Sequence, residues 1–243
     1  MCIRDRVYSS TEYPPERTIP LHPESAYSHY WPRTLWFCCL TAAEQGGATP
    51  VADNRKILAA LEPAVRDRFS RLGVRYVRTY HEGFDIPWQT AFQTDDREVV
   101  EEYCRRTGMN WQWRDGVLRT EHVLDAVVRH PDTGEDVWFN QVHAWHISVL
   151  DPQDRQAMRD AFGDDDLPRN VYYGDGTPIG DDEMGAIKAA HDSALVRFDW
   201  HPGDLMLIDN MLAAHGRDPF SGNRRVVVAM TDPYDRERLG AAR

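Results

Sequence analysis

The stretch Gly203-Asp-Leu-Met-Leu-Ile-Asp-Asn-Met-Leu-Ala-Ala-His215, continued by Gly216-Arg-Asp-Pro-Phe-Ser-Gly-Asn-Arg-Arg225, carries most of the information on the fold. A Pro-Gly turn precedes the apolar run 204–209, and a Ser-Gly-Asn turn precedes the run 224–230. Short apolar runs bounded by turn residues are typical of β-strands. We therefore predict two strands here, with His215 just past the end of the first.

Predicted strands and helices precede this stretch in the sequence. Strands are predicted at 35–40, 74–80 and 136–147, the last of them long and rich in aromatic residues. Helices are predicted at 55–72 after a cap at Asp53 or Asn54, from Asp151-Pro152, and from Asp181 towards Ala190. Neither βαβ alternation nor a Gly-x-Gly-x-x-Gly motif is present. The pattern favours a mainly β fold, an antiparallel sandwich or jelly roll with inserted helices, over a Rossmann sheet.

Chain length and the first residues bear on domain organisation. The 243 residues suffice for one sizeable domain, and no linker separates two halves. The opening Met1-Cys-Ile-Arg-Asp-Arg6 lacks the apolar region of a targeting signal and resembles a translated sequencing adapter. We predict that residues 1–6 are a non-native or disordered tail and that residues 7–243 form one domain lacking part of its N-terminus. A short natural tail is the alternative.

Charge and cysteine content exclude several classes of protein. The formal net charge of −11 makes the chain a poor candidate for binding a nucleic-acid backbone. No apolar stretch is long enough to span a bilayer, and no basic amphipathic helix suggests attachment to a membrane surface. The four cysteines include no Cys-x-x-Cys pair, which argues against a zinc ribbon or a thioredoxin-type site. Few cysteines and no signal peptide fit a reducing cytoplasm.

A histidine and a carboxylate lie two positions apart in His22-Pro-Glu24. On an extended segment, side chains two apart point to the same face, so both can reach one ion. Together with His215 they would make a set of two histidines and one carboxylate, which leaves positions open on a ferrous ion. The pair alone is weak evidence, because the chain contains a second one, His130-Pro-Asp132. We interpret this second pair as part of a hairpin turn.

Several short motifs together resemble one enzyme family. They are His22-Pro-Glu24, Gly46-Gly-Ala-Thr49, Trp138-Phe-Asn-Gln141, Tyr172-Tyr-Gly-Asp-Gly176, Gly203-Asp-Leu-Met-Leu-Ile-Asp-Asn210, and His215 followed by Arg224-Arg225. In this order they resemble the taurine dioxygenase–like branch of the iron(II)- and 2-oxoglutarate-dependent oxygenases. That branch includes oxygenases that hydroxylate amino acids during peptide natural-product synthesis. Each motif is weak alone, but the combination is specific and covers residues 16–233.

The resemblance implies a double-stranded β-helix and a role for each matching position. His22, Glu24 and His215 match the metal ligands, with glutamate in place of the more common aspartate. Either carboxylate is a hard anionic oxygen donor, so the ligand chemistry is retained. Thr49 and one of Arg224 and Arg225 match the residues that bind the distal carboxylate of 2-oxoglutarate.

The choice between the two arginines depends on strand register. A guanidinium binds a carboxylate through two parallel hydrogen bonds. Side chains alternate along a strand, so only one of two neighbours can face inward. We favour Arg224, which directly follows the Gly-Asn turn. A slip of one residue would reverse the assignment and select Arg225.

Three further residues are candidates for lining the substrate pocket. Asn140 matches a residue near substrate or cofactor, and a structural role is the alternative. His143 lies on the predicted strand 136–147, where it either lines the pocket or is hydrogen-bonded within the sheet. Arg217 either binds an anionic group of the substrate or pairs structurally with Asp209 or Asp218.

The function implied by the resemblance is oxidation with Fe(II), 2-oxoglutarate and O2. The expected reaction is hydroxylation or desaturation of a small polar substrate, such as an amino acid that is free or bound to a carrier protein. Two alternatives remain at this point. One is a non-catalytic jelly-roll protein that binds a metal or ligand. The other is a zinc hydrolase, which the absence of a His-Glu-x-x-His motif disfavours.

Overall fold

The computed structural model describes residues 7–9, 13–84 and 86–241. The predicted tail, residues 1–6, lies outside these ranges. The chain forms two compact units. One unit contains Pro63–Ala126 and Val142–Gly185, and the other contains the described residues up to Glu62, Val127–Gln141 and the residues from Ala186 onward. The organisation of residues 7–243 as one domain stays a prediction.

The secondary structure alternates between strands and short helices. The strands are β1 (Val7–Ser9), β2 (Ile19–His22), β3 (Tyr30–Thr41), β4 (Gln45–Gly46), β5 (Val51–Asp53), β6 (Val74–Thr79), β7 (Asn110–Arg114), β8 (Val117–Leu124), β9 (Val127–Arg129), β10 (Asp136–Trp138), β11 (Arg169–Tyr173), β12 (Leu195–Val196), β13 (Leu205–Asp209), β14 (Ala213–Arg217), β15 (Phe220–Ser221) and β16 (Arg225–Asp235). The helices are α1 (Asn54–Ala60), α2 (Pro63–Leu72), α3 (Trp88–Phe92), α4 (Arg97–Thr107), α5 (Val142–Trp145), α6 (Pro152–Phe162), α7 (Asp181–Ala194) and α8 (Arg236–Ala241). A 3-10 turn spans Ile147–Val149.

The unit containing Pro63–Ala126 is built around one antiparallel sheet. Its strand order is β11-β6-β8-β7. A buried cluster that includes Trp88, Val100, Cys104 and Leu118 joins α3 and α4 to β8. This unit therefore has its own apolar core.

The other unit contains two four-stranded antiparallel sheets. The first has the order β1-β16-β3-β13 and the second the order β12-β5-β14-β2. Buried residues of β3, β13 and β16 form one apolar cluster, against which Val51 of β5 and Ala213 of β14 pack. The two sheets thus face each other across a shared core, as in a jelly roll. This confirms the predicted mainly β fold with inserted helices.

Strand β3 shows why the sequence folds in this way. Leu35, Phe37 and Cys39 are buried, whereas Trp36 and Leu40 on the opposite face are exposed. Alternate side chains of a strand point to opposite faces, so the odd-numbered residues line the core. The predicted strands at 35–40, 74–80, 204–209 and 224–230 are confirmed as β3, β6, β13 and β16. The predicted helix starts at Asp151-Pro152 and Asp181 are confirmed as α6 and α7.

The single helix predicted at 55–72 is wrong, because the segment forms two helices. Asp53 caps α1 by accepting a hydrogen bond from the Arg55 N–H, as predicted. Helix α1 ends at Ala60, and Leu61 is extended at φ −66° and ψ 140°. Proline lacks an N–H and disfavours helical geometry in the residue before it. Pro63 therefore ends the first helix and begins the second.

The long strand predicted at 136–147 is also wrong. Only Asp136–Trp138 is a strand, paired with β9, and the chain then forms α5 and the 3-10 turn. An apolar run buried on all sides has no periodicity that separates strand from helix. His143 consequently lies in α5 rather than on a strand. In the described part of the chain, no helix has the length and apolar character needed to cross a membrane.

Candidate metal centre

The order of strands in the second sheet brings His22 and His215 together. Strand β14 lies between β5 and β2, and His215 pairs directly with His22 across the antiparallel ladder. Directly opposed residues in such a ladder point to the same face of the sheet. Their ring centroids lie 4.6 Å apart.

Glu24 lies in the turn that follows β2 and completes the group. Its Oε2 atom is 3.7 Å from Nε2 of His22 and 4.0 Å from Nε2 of His215. One ligand atom from each of these residues lies within 4.8 Å of the other two. These separations are longer than a normal hydrogen bond. The residues predicted from the motif are thus brought to one point.

The protonation states of Glu24 and His215 suit metal binding. Nδ1 of His22 donates to the Pro20 carbonyl at 2.7 Å, which leaves Nε2 directed towards Glu24. Burial lowers the pKa of His215 to about 3, an effect strengthened by His22. Burial would raise the pKa of Glu24, but the two histidines outweigh it and hold this pKa at about 2. At neutral pH the group therefore contains an anionic carboxylate and a neutral His215, both able to coordinate a cation.

The pKa of His22 is shifted in the opposite direction. Burial alone would lower it, but the Glu24 carboxylate and the Pro20 carbonyl outweigh burial and raise it.

The donor set fits a ferrous ion. Two imidazole nitrogens and one carboxylate oxygen are the ligands that bind iron in oxygenases while leaving open positions. Among the described residues, no fourth histidine, cysteine, aspartate or glutamate joins the group. Structural zinc sites use four protein ligands, so the set does not match that class.

The three ligands line an open cavity. Its apolar wall is formed by Leu35, Phe37, Val228 and Met230 of the facing sheet. Its polar wall includes Thr49, Arg217 and Arg224. A cavity with apolar walls and a few convergent polar groups is typical of a small-molecule site.

Arg224 and Thr49 form a cationic end to the cavity. Arg224 donates from Nε to the Gly47 carbonyl at 2.8 Å and from Nη2 to the Thr49 hydroxyl oxygen at 3.3 Å. In the described part of the chain no carboxylate forms an ion pair with Arg224. Burial and the nearby Arg217 charge lower the pKa of Arg224 to about 10, so it stays a cation at neutral pH. A desolvated cation without an anionic partner is suited to an anionic ligand.

Thr49 is prepared to act as a hydrogen-bond donor. Its oxygen accepts from Nη2 of Arg224 and from the indole N–H of Trp200 at 2.9 Å. A hydroxyl with both lone pairs engaged can still donate its own proton. Thr49 can therefore donate to an oxygen bound beside Arg224.

The other predicted site residues lie in different surroundings. Arg225 is exposed and does not line the cavity. Arg217 lines it, but its guanidinium donates to the backbone carbonyls of Tyr13, Pro14 and Arg17. Its structural partners are thus carbonyls and not Asp209 or Asp218.

Asn140 and His143 are not among the described residues that line this cavity. Asn140 is buried, and His143 belongs to α5 in the other compact unit. Their predicted roles in substrate binding stay predictions.

His130, the second histidine followed by a carboxylate, has a structural environment. Its Nδ1 accepts the N–H groups of Asp132 and Thr133, and its Nε2 lies 3.1 Å from Oδ2 of Asp209. The interpretation of His130-Pro-Asp132 as a turn is confirmed.

Sequence reasoning missed three residues around the site. Trp200, interpreted only as core, donates to Thr49. Gly47 has φ +73°, and a Cβ there would lie 3.0 Å from Cδ of Arg224. Asn210 is fully buried and hydrogen-bonded to the backbone of Glu24. The glycine was visible in the quoted Gly-Gly-Ala-Thr motif, whereas the other two contacts join segments far apart in sequence.

Comparison with known proteins shows the family of the chain. A sequence profile described as "Taurine catabolism dioxygenase TauD, TfdA family" matches residues 3–231. The dapdiamide synthesis protein DdaC of Enterobacter agglomerans is 42% identical over 228 residues, covering 93% of this chain and 69% of its own. A clavaminate synthase-like protein of Arabidopsis thaliana is 28% identical over 236 residues, covering 93% and 68%.

Solved structures share the fold at low sequence identity. The PvcB protein of Pseudomonas aeruginosa has a TM-score of 0.51 at 14% identity, covering 93% of this chain and 63% of its own. An asparagine oxygenase has a TM-score of 0.53 at 13% identity, covering 89% and 50%. The chain therefore spans between half and two thirds of these solved chains. With its profile match and its 42% identical relative, the chain belongs to the TauD/TfdA family of Fe(II)- and 2-oxoglutarate-dependent dioxygenases.

Proposed function

We propose that this chain binds Fe(II) through His22, Glu24 and His215 and uses 2-oxoglutarate and O2 to oxidise a small polar substrate. One observation carries the proposal. The three-residue ligand set and Arg224, a cation that forms no ion pair with a described carboxylate, line the same cavity. The first would hold the metal and the second would bind an anionic co-substrate. Bound iron, with 2-oxoglutarate and O2, supplies the oxidising power needed to remove hydrogen from a C–H bond.

The protein residues bind and orient the reactants. Arg224 and Thr49 would hold the distal carboxylate of 2-oxoglutarate, the arginine by charge and the threonine by its free O–H. The Gly47 carbonyl and Trp200 fix these two side chains in turn. Leu35, Phe37, Val228 and Met230 exclude water from one side of the cavity. An electrostatic interaction is stronger in such surroundings than in water.

We propose an amino acid, free or bound to a carrier protein, as the substrate. The support is the 42% identical relative, which is named for the synthesis of dapdiamide. The cavity is open and partly polar, so it suits a small polar molecule. Hydroxylation is the expected outcome, with desaturation as the alternative reaction.

The zinc hydrolase alternative gains no specific support. The two histidines lie on paired strands, whereas the His-Glu-x-x-His motif of zinc metalloproteases places both histidines on one helix. A non-catalytic binding protein remains the second candidate, since the same residues would bind metal and 2-oxoglutarate without turnover. Measurements of binding and of turnover separate the two.

Anaerobic addition of Fe(II) and then 2-oxoglutarate tests the site. We expect a weak visible charge-transfer band and, on exposure to O2, formation of succinate. His215→Ala should abolish both signals. His201→Ala is the matched control, because the His201 side chain is 80% exposed and does not belong to the ligand group. Absence of the band in the unmodified protein would refute the proposal, and a band without succinate would favour the non-catalytic alternative.

A panel of substrates tests the proposed chemical class. Free amino acids and the same amino acids bound as thioesters to a carrier protein should be compared by the rate of succinate formation and by mass change. An added 16 Da indicates hydroxylation and a loss of 2 Da indicates desaturation, as the balance of atoms requires. If the enzyme is active but oxidises none of the amino acids or their thioesters, the substrate proposal is wrong and the proposal of an oxygenase still stands.

A further inference from the structure

Asn210 contacts the backbone of one metal ligand on both sides. The Glu24 N–H donates to Oδ1 of Asn210 at 2.6 Å, and Nδ2 of Asn210 donates to the Glu24 carbonyl at 2.9 Å. The same Nδ2 donates to the Pro32 carbonyl at 2.8 Å. Asn210 is 0% exposed, so its hydrogen bonds do not compete with water.

Glu24 needs such a contact because it is not part of a sheet. His22 and His215 are fixed by the ladder between β2 and β14. Glu24 lies in the turn beyond β2, where the next residue, Ser25, has a positive φ of 57°. Non-glycine residues adopt this conformation only at an energetic cost and when their surroundings hold them in it. The position of the Glu24 carboxylate therefore depends on side-chain contacts to the turn.

Asn210 is held in place by the strand that precedes it and by hydrogen bonds of its own turn. Asn210 directly follows β13, which belongs to the sheet facing the one that carries the two histidines. Its own N–H donates to the Arg33 carbonyl at 2.8 Å. The preceding Asp209 accepts the N–H groups of Met211 and Leu212 and thereby fixes the turn. Asn210 thus joins Glu24 to the opposite sheet.

We propose that Asn210 is a positioning residue for the metal centre: it holds the Glu24 backbone so that the carboxylate meets the two histidines. This inference rests on the proposed metal-binding function. An amide is suited to the task because it both donates and accepts hydrogen bonds without carrying a charge. Partners that orient a metal ligand typically contribute 10- to 100-fold to metal affinity. We expect about this loss when Asn210 is truncated.

Asn54 provides a matched control. It is also 0% exposed, and its Nδ2 donates to the carbonyl of Met211, the residue next to Asn210. No described hydrogen bond joins Asn54 to Glu24. Asn54→Ala removes a buried amide of α1 that contacts the same turn but not Glu24, so it reports the purely structural cost.

The test is a titration of the metal-free protein with Co(II), followed by its visible absorption, without turnover. Asn210→Ala should weaken Co(II) binding about 10- to 100-fold and change the ligand-field bands, whereas Asn54→Ala should leave both within about 3-fold of the unmodified protein. Circular dichroism reports whether each variant is folded. If Asn210→Ala does not fold, the smaller change Asn210→Ser is measured in its place.

A double-mutant cycle separates positioning from general stability. If Asn210 acts through Glu24, Asn210→Ala should have little further effect on Co(II) affinity in a Glu24→Ala background. Additive effects, or equal effects of Asn210→Ala and Asn54→Ala, would overturn the inference while leaving metal binding intact. Failure of the unmodified protein to bind Co(II) would instead refute the proposed function on which the inference rests.

Discussion

Arg224 and Arg225 are neighbours in sequence with opposite surroundings. Arg224 is half-buried between Gly47 and Thr49, whereas Arg225 is exposed at the start of β16. The sequence motifs limited the candidates for binding the distal carboxylate of 2-oxoglutarate to these two residues. The choice between them depended on an assumed strand register. The ladder between β16 and β3 has an irregularity between Arg225 and Val226. Such irregularities cannot be read from the residue pattern, so the arginine facing the cavity was inferred only from its position after the turn.

Substitution of each arginine should separate their roles. Arg224→Ala should weaken binding of 2-oxoglutarate to the Fe(II) protein by about 1.5–3 kcal/mol, roughly 10- to 100-fold, because a charge-assisted pair is lost. Arg225→Ala should change this affinity by about 2-fold or less, since its side chain is in solvent. Titration of the anaerobic charge-transfer band measures both. A larger effect of Arg225→Ala would show that the other arginine binds the co-substrate.

At the scale of elements, strands with one buried face were predictable and segments buried on all sides were not. Strand β3 alternates between buried and exposed residues, and its prediction from 35–40 is confirmed within Tyr30–Thr41. In 136–147 the apolar residues show no such alternation, and the prediction of a strand was wrong after Trp138. Pro63 could have predicted the break between α1 and α2. The apolar residues of 55–72 keep a helical spacing across it, so they indicated a single helix.

Strands β14 and β2 approach closely at Gly216, next to the ligand His215. A Cβ on Gly216 would lie 2.6 Å from the Ile19 carbonyl oxygen and 3.3 Å from the Leu21 nitrogen. Both atoms belong to the backbone of β2, so they cannot rotate away. The register also shifts between His215 and Arg217 at this point. Glycine is therefore required for β14 to present His215 opposite His22.

Gly216→Ala should lower the free energy of unfolding by about 1–3 kcal/mol, the usual range for overpacking, and weaken metal binding. Gly185→Ala is the matched control, since a Cβ there would meet nothing within 4 Å. Gly185 is exposed within α7, so its change to alanine should stabilise the protein by about 0.5–1 kcal/mol. Urea denaturation and Co(II) titration measure both effects. Equal stability of Gly216→Ala and the unmodified protein would show that the two strands can separate without cost.

At the scale of the whole chain, the site is assembled from segments that are distant in sequence. His22 and Glu24 come from one end, Thr49 from a loop before β5, and His215 and Arg224 from the other end. Local patterns predicted the strands, but no local pattern specifies that β14 lies between β2 and β5. The strand order could be expected only from the family that the combined motifs resemble. The profile match over residues 3–231 confirms this family. Contacts that no motif contains, such as Asn210 with Glu24, required the structure.

The stability of the whole molecule should depend on pH through His191. This residue of α7 is 2% exposed, and its Nδ1 lies 2.8 Å from the Ile187 carbonyl. Burial lowers the pKa of His191 to about 4, against 6.5 for an exposed histidine, although the Ile187 carbonyl and Asp192 partly offset burial. The unfolded chain therefore binds a proton more readily than the folded chain. The contribution of His191 to stability is complete above pH 6.5 and is lost as the pH falls towards 4.

At pH 5 this difference in pKa amounts to about 2 kcal/mol of lost stability. The free energy of unfolding of the metal-free protein, measured with urea at pH 7 and pH 5, gives the loss directly. We expect the loss between the two pH values to be smaller by about 2 kcal/mol in His191→Gln, because glutamine does not ionise. His201→Gln, at a side chain that is 80% exposed, should retain the full loss. Any uniform destabilisation by His191→Gln cancels in the comparison of the two pH values. An unchanged loss in this variant would show that the buried histidine does not cause the acid sensitivity.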